Sequence, residues 1–582
     1  MMESDPGADW SSGPLRSSRF DDVYFSASGG LGEARHVFLQ GCGLPERWRG
    51  RRRFTVGELG FGTGLNMLAL LHLWQQHRPP GATLQMFSVE GYPLPLADAQ
   101  AAHAHWPELA ELAAPLRAQW PRGARGMHRI RWADLGATLD LAVLDVEAAL
   151  AGWGGQADAW FLDGFSPAKN PEMWAPSVLM AVARASAPGA RVATYSVAAA
   201  VRHGLEAAGF SLARKPGYGF KRERLEASLP GQPDDPPNPR VAIIGAGIAG
   251  AALARALAEQ GVTAQLFADG PMASGNPAAL VSPRLAARSA AGAALHAQAF
   301  RHSVTLIAQT APAAIIARGA LCLLKGAGEA ERGAATMASG LFEPGSIRAA
   351  DRPDALWLED ALVVAPDSLR AAWLPAVRQD SIASLRRGET GWLLCGADGA
   401  PRAEADVVVL AAGFGTAALC EIPLRPVRGQ VGMAELPLDG PPTSWGGYVI
   451  PTQTGLLFGA THDRGDCDPA IRDADQARNL AGLRAVRPEL AEALERQPLR
   501  AAAGVRAATG DHQPVAGALG DGLYALTGLG GRGFTLAPLL ADHVAALLLN
   551  LASPLPRHLA ALVDPARLRP RAARQALGSE SP

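Results

Sequence analysis

Cysteine is scarce in this chain of 582 residues. Five are present, at 42, 322, 395, 420 and 467, and no two share a Cys-x-x-Cys spacing. Neither a disulfide framework nor a zinc site is expected, and no metal is called for. Lysine is scarcer still, at positions 169, 215, 221 and 325 alone; arginine supplies the remaining positive charge. An excess of either sign is missing too. The formal charge is −1, and residues 1–238 hold 23 Lys and Arg against 24 Asp and Glu. Global charge therefore gives no support to a nucleic-acid partner. No run of about 18 apolar residues occurs, so no membrane-spanning helix is expected. The first ten residues, MMESDPGADW, lack the apolar core of a signal peptide. The expected class is a soluble cytoplasmic protein.

What the chain does have is two glycine-rich turns of different spacing, one on each side of a proline-rich run. Leu229–Pro239 reads LPGQPDDPPNP, with five prolines in eleven residues. Proline fixes φ and cannot donate to a ladder, so this run reads as a semi-rigid linker over 229–239. Nearly half of the residues are apolar, enough for two large domains. The expected division is 19–228 and 240–570, with disordered ends at 1–18 and 571–582.

In the first half, FTVGELGFGTGLN carries Glu58, Gly60, Gly62 and Gly64 between a short apolar strand and a helical stretch from Asn66 to Trp74. An acid ending a strand before Gly-x-Gly-x-Gly is the arrangement of class I, Rossmann-like methyltransferases. Glycines there let the backbone approach a ligand where a Cβ would collide. The next strand ends at Glu90, where a carboxylate can accept both ribose hydroxyls of S-adenosylmethionine. A third, LDLAVLDVEAAL, places Asp145 where an acid meets the adenine. WFLDGFSPAKNPEMW puts Asp163 at the C-terminal end of a central strand, the edge at which open α/β sheets bind ligands. Methyl transfer to an amine needs a group that orients the nitrogen and helps take its proton, and Asp163 suits that catalytic role. Two basic clusters flank this half, at 47–53 and 214–224; Arg51–Arg53 and Lys221–Arg224 are candidates for phosphate contacts.

The second half opens with RVAIIGAGIAGAALARALAEQG. A β-branched strand feeds Gly245-x-Gly247-x-x-Gly250 and a helix, the dinucleotide fingerprint in its proper context. Asp269, nineteen residues beyond Gly250, suits an adenosine ribose. The stretch 272–283, MASGNPAALVSP, contains Ser274, Gly275 and Asn276. ADVVVLAAG returns to the nucleotide at Gly413, and RPVRGQVG (425–432) reads as a turn. GLGGRGF carries Gly530, Gly531, Arg532 and Gly533 ahead of an apolar helix.

FDDVYFS, GELGFGTGLN, FLDGFSPAKNPEMW and GYGFKRE, in that order, resemble the methyltransferase half of the bifunctional tRNA wobble-uridine modification enzymes. The second half is similar to FAD-dependent oxidoreductases of the D-amino-acid oxidase and glycine oxidase type, the plan of the same family. The resemblance covers roughly residues 19–570. It implies an α/β chain in which a methyltransferase domain is joined to a two-part FAD-binding domain. S-adenosylmethionine and FAD are the implied cofactors, and a modified wobble uridine of tRNA is the implied substrate. The FAD half would remove the carboxymethyl group of 5-carboxymethylaminomethyl-uridine, or its 2-thio form, as glyoxylate. The other half would then methylate the amine left behind. Ser274, Gly275, Asn276, Gly413, Gly530, Gly531 and Gly533 would join the fingerprint glycines in holding FAD. Arg506 matches the arginine that holds a substrate carboxylate in glycine oxidase-like proteins, and Arg532 is a second candidate. A planar guanidinium suits a carboxylate because it binds two oxygens at once. A monomer is expected. Two other readings stay open at this stage: an oxidase and methyltransferase pair for a free small amine such as sarcosine, and a chain in which one half is a degenerate RNA-binding scaffold.

Overall fold

The computed structural model describes residues 8–9, 15–25, 29–219, 221–270, 272–285 and 290–569. The expected C-terminal tail, 571–582, and most of the expected N-terminal tail lie outside these residues. Two compact units divide the chain: Met1–Pro237 with Glu259–Gly261 and Leu551–Arg557, and Asn238–Ala258 with Val262–Asn550 and His558–Pro582.

The first unit is built on an eight-stranded sheet. In chain order its strands are β1 (Arg53–Leu59), β2 (Thr83–Val89), β3 (Gly126–Trp132), β4 (Ala137–Val143), β5 (Ala157–Leu162), β6 (Ser186–Thr194), β7 (Ser211–Pro216) and β8 (Glu223–Ser228). Their order across the sheet is β7-β8-β6-β5-β1-β2-β4-β3. The pairs β6–β5, β5–β1, β1–β2 and β2–β4 are parallel, and the edge pairs are antiparallel. Every residue of β1, β2 and β5 is buried, as expected of parallel strands covered on both faces. Phe54, Val56, Leu84 and Met86 face a core that includes Trp48 and Trp74. Leu59, Phe87 and Leu162 face the other, which holds Trp153 and Trp160. β1 neighbours β2 on one side and β5 on the other, so the strand order reverses there. That crevice, beyond the C-terminal ends of the strands, is where such sheets bind ligands. Helix α1 (Leu65–His77) leaves it from β1, and α2 (Val146–Gly152) follows β4.

Two large sheets and a three-stranded one make up the second unit. Its six-stranded sheet contains β9 (Val241–Ile244), β10 (Gln265–Phe267), β11 (Val377–Arg378), β12 (Val407–Leu410), β13 (Val515–Gly520) and β14 (Leu523–Thr527), in the order β11-β10-β9-β12-β14-β13. Here the order reverses at β9, which lies between β10 and β12. Helix α3 (Ile248–Glu259) starts at that point. The ten-stranded sheet of the same unit includes β15 (Arg425–Ala434) and its antiparallel neighbour β16 (Arg500–Ala508). The segment RPVRGQVG is therefore strand, not turn. Its glycines do not break the strand, because they make room for neighbours: a Cβ on Gly429 would lie 2.1 Å from Arg506 Nη2. Arg428, on the same strand, is fully buried. It donates to Asp475 and, through Nε, to the carbonyl of Asp468 at 2.8 Å.

Helix α4 (Ala290–Thr310) and helix α5 (Gly533–Leu548) bury a charged cluster together with α3. Asp542 on α5 accepts from Arg255 on α3, and its other oxygen lies 3.2 Å from His302 Nε2 on α4. The three side chains are 3, 6 and 4 % exposed. Removing the shared carboxylate breaks the buried ion pair between Arg255 and Asp542, which costs about 3–5 kcal/mol. Asp542→Ala is therefore expected to lower the thermal midpoint of the second unit by many degrees, as read by calorimetry of the full chain. A midpoint within a degree or two of wild type would show that the cluster contributes little.

Candidate active sites

The first site follows from the contact between β1 and β5. Asp163 N donates to Leu59 O at 3.0 Å, which brings the ends of both strands together. Gly60 sits against that junction with φ of +90°, and a Cβ there would lie 2.1 Å from Asp163 O. Glycine is thus required on two grounds, conformation and space. Beyond the junction opens a cavity of about 1070 Å³, lined by Gly60, Gly62, Glu90, Asp145 and Asp163 among others. Glu90 is fixed by two backbone donors, Gly62 N to Oε2 and Tyr92 N to Oε1, each at 2.9 Å. Asp145 caps α2 by accepting from Ala148 N at 2.9 Å, and it lines the cavity as well.

Glu58 is placed differently from the sequence expectation. It is fully buried beneath the turn and does not line the cavity. Ser88 Oγ donates to its Oε2 at 2.5 Å, and Asn66 Nδ2 donates to Oε1 at 3.1 Å. Burial raises its carboxyl well above the usual range. β1 is covered on both faces along its whole length, so Glu58 lies inside the fold beneath the turn that follows it. Asn66, on the first turn of α1, was missing from the sequence expectation. Its Nδ2 also donates to Asp163 Oδ2 at 2.6 Å, so a single amide holds both carboxyl groups. Its position directly after GTGL was the available signal. Burial pushes the Asp163 carboxyl up to about 7, against the Asn66 hydrogen bond and the nearby Lys221 ammonium.

The acceptor end of the cavity contains further groups. Tyr195 Oη donates to Gly164 O at 2.6 Å, and Asp22 Oδ2 accepts from Ser166 N at 2.9 Å. Lys221 Nζ donates to Glu33 Oε1 at 2.6 Å and lies 3.8 Å from the Tyr195 ring centroid. Phe20 and Tyr24 pack on Phe165, with ring centroids 4.9 and 5.2 Å away.

The basic clusters resolve into structural contacts. Arg51 pairs with Asp158 at 2.6 Å, Arg52 N donates to Asp235 Oδ2 at 3.0 Å, and Arg53 is buried. Arg224 is buried and pairs with Glu226 at 2.7 Å. Burial turns Arg53 and Arg224 away from the surface, and Arg51 is engaged by Asp158, while Lys221 stays exposed beside its partner Glu33. Arg214, Lys215 and Arg222 remain exposed.

In the second unit, Gly245 follows β9 and a Cβ on it would lie 2.4 Å from Ala411 O, just beyond β12. A Cβ on Gly250 would lie 1.8 Å from Gly245 O. The turn is therefore closed tightly against the start of α3, leaving the helix N-terminus open to an anion. Ile248 N donates to Ser274 Oγ at 3.2 Å, a Cβ on Gly247 would lie 3.2 Å from the same oxygen, and Gly275 N closes a turn onto Met272 O. Asn276 is partly buried in the same loop. Thr527 Oγ1 donates to Gly413 O at 2.9 Å, which joins the ends of β12 and β14. Gly533 begins α5 and would place a Cβ 3.2 Å from Ile248 Cγ2, so the fingerprint turn and the Gly530–Gly533 turn lie side by side. Asp269 is exposed just after β10. These are the features of a cradle for a dinucleotide, and a cofactor such as FAD fits them. Gly250→Ala is expected to lower bound flavin at least about tenfold, since the turn cannot close around an added methyl. The check is flavin absorbance per chain, with methylation retained as the control for folding; a fully yellow variant would refute this role.

Arg506 lies on β16 opposite Val427. Its guanidinium rests over Gly429, and its Nη1 is 4.0 Å from the position of a Cβ on Gly531. Among the described residues no carboxylate pairs with it. Its charge also reaches Tyr448, whose hydroxyl is raised by burial and opposed by Arg506. Gly429 and Tyr448 were not expected from the sequence. Arg532 lies within the Gly530–Gly533 turn and donates through Nη1 to Ser282 O at 3.3 Å. Burial draws its guanidinium down to about 10, and Arg284 adds to this.

Fold and sites together define a chain with two nucleotide-cofactor enzymes. A family model described as S-adenosyl-L-methionine-dependent methyltransferase matches residues 107–230, and one described as FAD dependent oxidoreductase matches 240–547. The chain is 51% identical over 584 residues to the tRNA 5-methylaminomethyl-2-thiouridine biosynthesis bifunctional protein MnmC of Caulobacter sp., covering 96% of this chain and 97% of that one. It is 37% identical over 621 residues to the protein of the same name from Azoarcus sp., covering 97% of each. It belongs to the MnmC family. A crystal structure of iminodiacetate oxidase from a Chelativorans species covers 55% of this chain and 97% of its own, with 24% identity and a TM-score of 0.49.

Proposed function

We propose that the second unit removes the carboxymethyl group from 5-carboxymethylaminomethyl-(2-thio)uridine in tRNA, giving glyoxylate, and that the first unit methylates the resulting amine. The single observation that carries this reading is the pairing, in one chain of this family, of a dinucleotide cradle beside Arg506, which pairs with no carboxylate of the described residues, and a cavity that presents Asp163 at its sheet edge.

In the first unit, Glu90 would hold the ribose diol and the Gly60–Gly64 turn the methionine part of S-adenosylmethionine, with Asp145 near the adenine. That cofactor, when bound, supplies an electrophilic methyl group. The acceptor amine must arrive without its extra proton, because an ammonium has no lone pair. Asp163, held by Asn66, orients the nitrogen, balances the charge that grows on it and takes up its proton.

In the second unit, the Gly245–Gly250 turn and the start of α3 would hold the FAD pyrophosphate, with Asp269 at the adenosine ribose and the loop 274–276 beside it. FAD, when bound, supplies a two-electron acceptor. Arg506 would grip the glycyl carboxylate with its planar fork and so set the neighbouring C–H against the cofactor. The N-terminus of α5 places a positive helix end at the same turn, which favours negative charge there.

The cavity of the first unit is lined by that unit's own residues, which supports a chain active as a monomer. Among the described residues no helix is long and apolar enough to cross a membrane. The proposal includes work in the cytoplasm, where tRNA is found, with no metal. Nucleoside mass spectrometry of tRNA, treated with and without each cofactor, tests it. FAD alone should convert the carboxymethylaminomethyl nucleoside to the aminomethyl one, and S-adenosylmethionine should then complete the methylation. Turnover of free sarcosine with no change in tRNA would reverse the conclusion in favour of a small amine.

A further inference from the structure

We propose that Glu33 is a specificity gate of the methyltransferase cavity, occupying the Lys221 ammonium so that the acceptor end cannot hold a substrate that still carries a carboxylate. This rests on the functional reading above and goes beyond it by assigning the discrimination between the two forms of the wobble uridine.

The geometry supplies the argument. Lys221 Nζ and Glu33 Oε1 are 2.6 Å apart, with the glutamate side chain 12 % exposed. The ammonium also lies 3.8 Å from the Tyr195 ring centroid, so the aromatic face takes up a second side of it. Both residues line the cavity, as do Asp22 and Asp163. The other lysine of the lining, Lys169, is held by Asp21 at 2.6 Å. The acceptor end therefore offers three carboxylates and an ammonium already engaged. A free aminomethyl group, cationic before it yields its proton, is attracted to such a place. The carboxymethylaminomethyl group brings a carboxylate beside its nitrogen; around Asp163 it meets the carboxylates of Glu33 and Asp22, while Lys221 is taken by Glu33 and Lys169 by Asp21. The order of the two reactions then follows from the cavity itself: the carboxylate must be removed before the nitrogen can enter. Methyl transfer to the unprocessed group would give a tertiary amine, and the gate prevents it.

Glu33→Gln keeps the shape and releases the ammonium. In the full chain, without oxygen and with tRNA in excess so that oxidation stops after one flavin turnover, methylation of aminomethyl tRNA is followed while carboxymethylaminomethyl tRNA is added. The wild type should be inhibited weakly. Glu33→Gln should be inhibited at concentrations at least about tenfold lower, the ratio expected for one new ion pair worth roughly 1.4 kcal/mol. The double variant Glu33→Gln, Lys221→Met should lose the gained inhibition. If Glu33→Gln does not accumulate as folded protein, Glu33→Asp serves, with an intermediate gain because the shorter carboxylate reaches Lys221 less well. A folded variant with unchanged inhibition overturns the gate, and so does inhibition that persists in the double variant. A wild type unable to methylate aminomethyl tRNA would instead overturn the reading of the cavity on which the gate depends.

Discussion

Asp163→Ala is expected to reduce methylation of aminomethyl tRNA by about 10²- to 10⁴-fold, the range for loss of a positioned acid–base group. S-adenosylmethionine binding and glyoxylate production should stay near wild type. The geometry explains the separation. Asp163 faces the cavity from the end of β5, whereas Glu90 is fixed by its own backbone donors, Gly62 N and Tyr92 N. The pH dependence gives a second reading. Burial lifts the Asp163 carboxyl to about 7, so the group is protonated, and unable to accept a proton, in a growing fraction of molecules as pH falls below that value. The kcat/KM profile of the free enzyme should therefore fall on the acid side near pH 7, in addition to the fall caused by protonation of the amine itself. In Asp163→Asn the contribution of the carboxyl should vanish, leaving only that of the amine. Near-normal methylation by the alanine variant would sink the assignment, and so would a profile that is the same in wild type and asparagine variant.

The parts of this site that could be read in the sequence share a physical property. They are positions at which the backbone itself is constrained. Gly60 and Gly250 stand where a Cβ would strike a carbonyl oxygen at 2.1 and 1.8 Å, and such constraints leave glycine in the sequence at a fixed spacing. Asp163 and Glu90 end parallel strands, and the strands announce themselves as apolar runs. What could not be read is the partner of each charge. RWRGRRR looks like a basic surface, yet Arg51 closes on Asp158, 107 residues away, and Arg52 on Asp235, 183 away. Lys221 looked like an RNA contact and is held by Glu33 across 188 residues. Those pairings depend on how the sheet is ordered, which local pattern does not determine. Glu58 shows the converse. Its type suited a cofactor acid, but it sits within a strand covered on both faces, and only the depth of its burial identifies it as a support for Asn66. The misread strand at Arg425–Ala434 has the same origin. Gly429 and Gly432 suggested a turn, whereas Arg506 and Phe458 fill the space their missing side chains leave.

Arg506→Lys separates the two activities in one molecule. The variant should bind FAD and be yellow, because Arg506 sits on β16 and is no part of the Gly245–Gly250 cradle. Its oxidation of the carboxymethylaminomethyl group should fall at least about tenfold, or about 1.4 kcal/mol of transition-state binding. Lysine keeps the charge, so the loss measures the planar fork, which binds both carboxylate oxygens where an ammonium binds one. The site is arranged for that fork. Gly429 leaves the space in which the guanidinium lies, and no carboxylate of the described residues competes for it. Arg506 is partly buried, and a substrate carboxylate would give its guanidinium a bidentate partner. Methylation of tRNA already bearing the free amine should be unchanged, since that step uses the cavity of the other unit and involves no carboxylate. The decisive measurement is steady-state oxidation and methylation by this variant on the two tRNA substrates. Loss of both activities would make Arg506 a structural residue. Loss of neither would pass the carboxylate to Arg532, within the Gly530–Gly533 turn and already bonded to the backbone at Ser282.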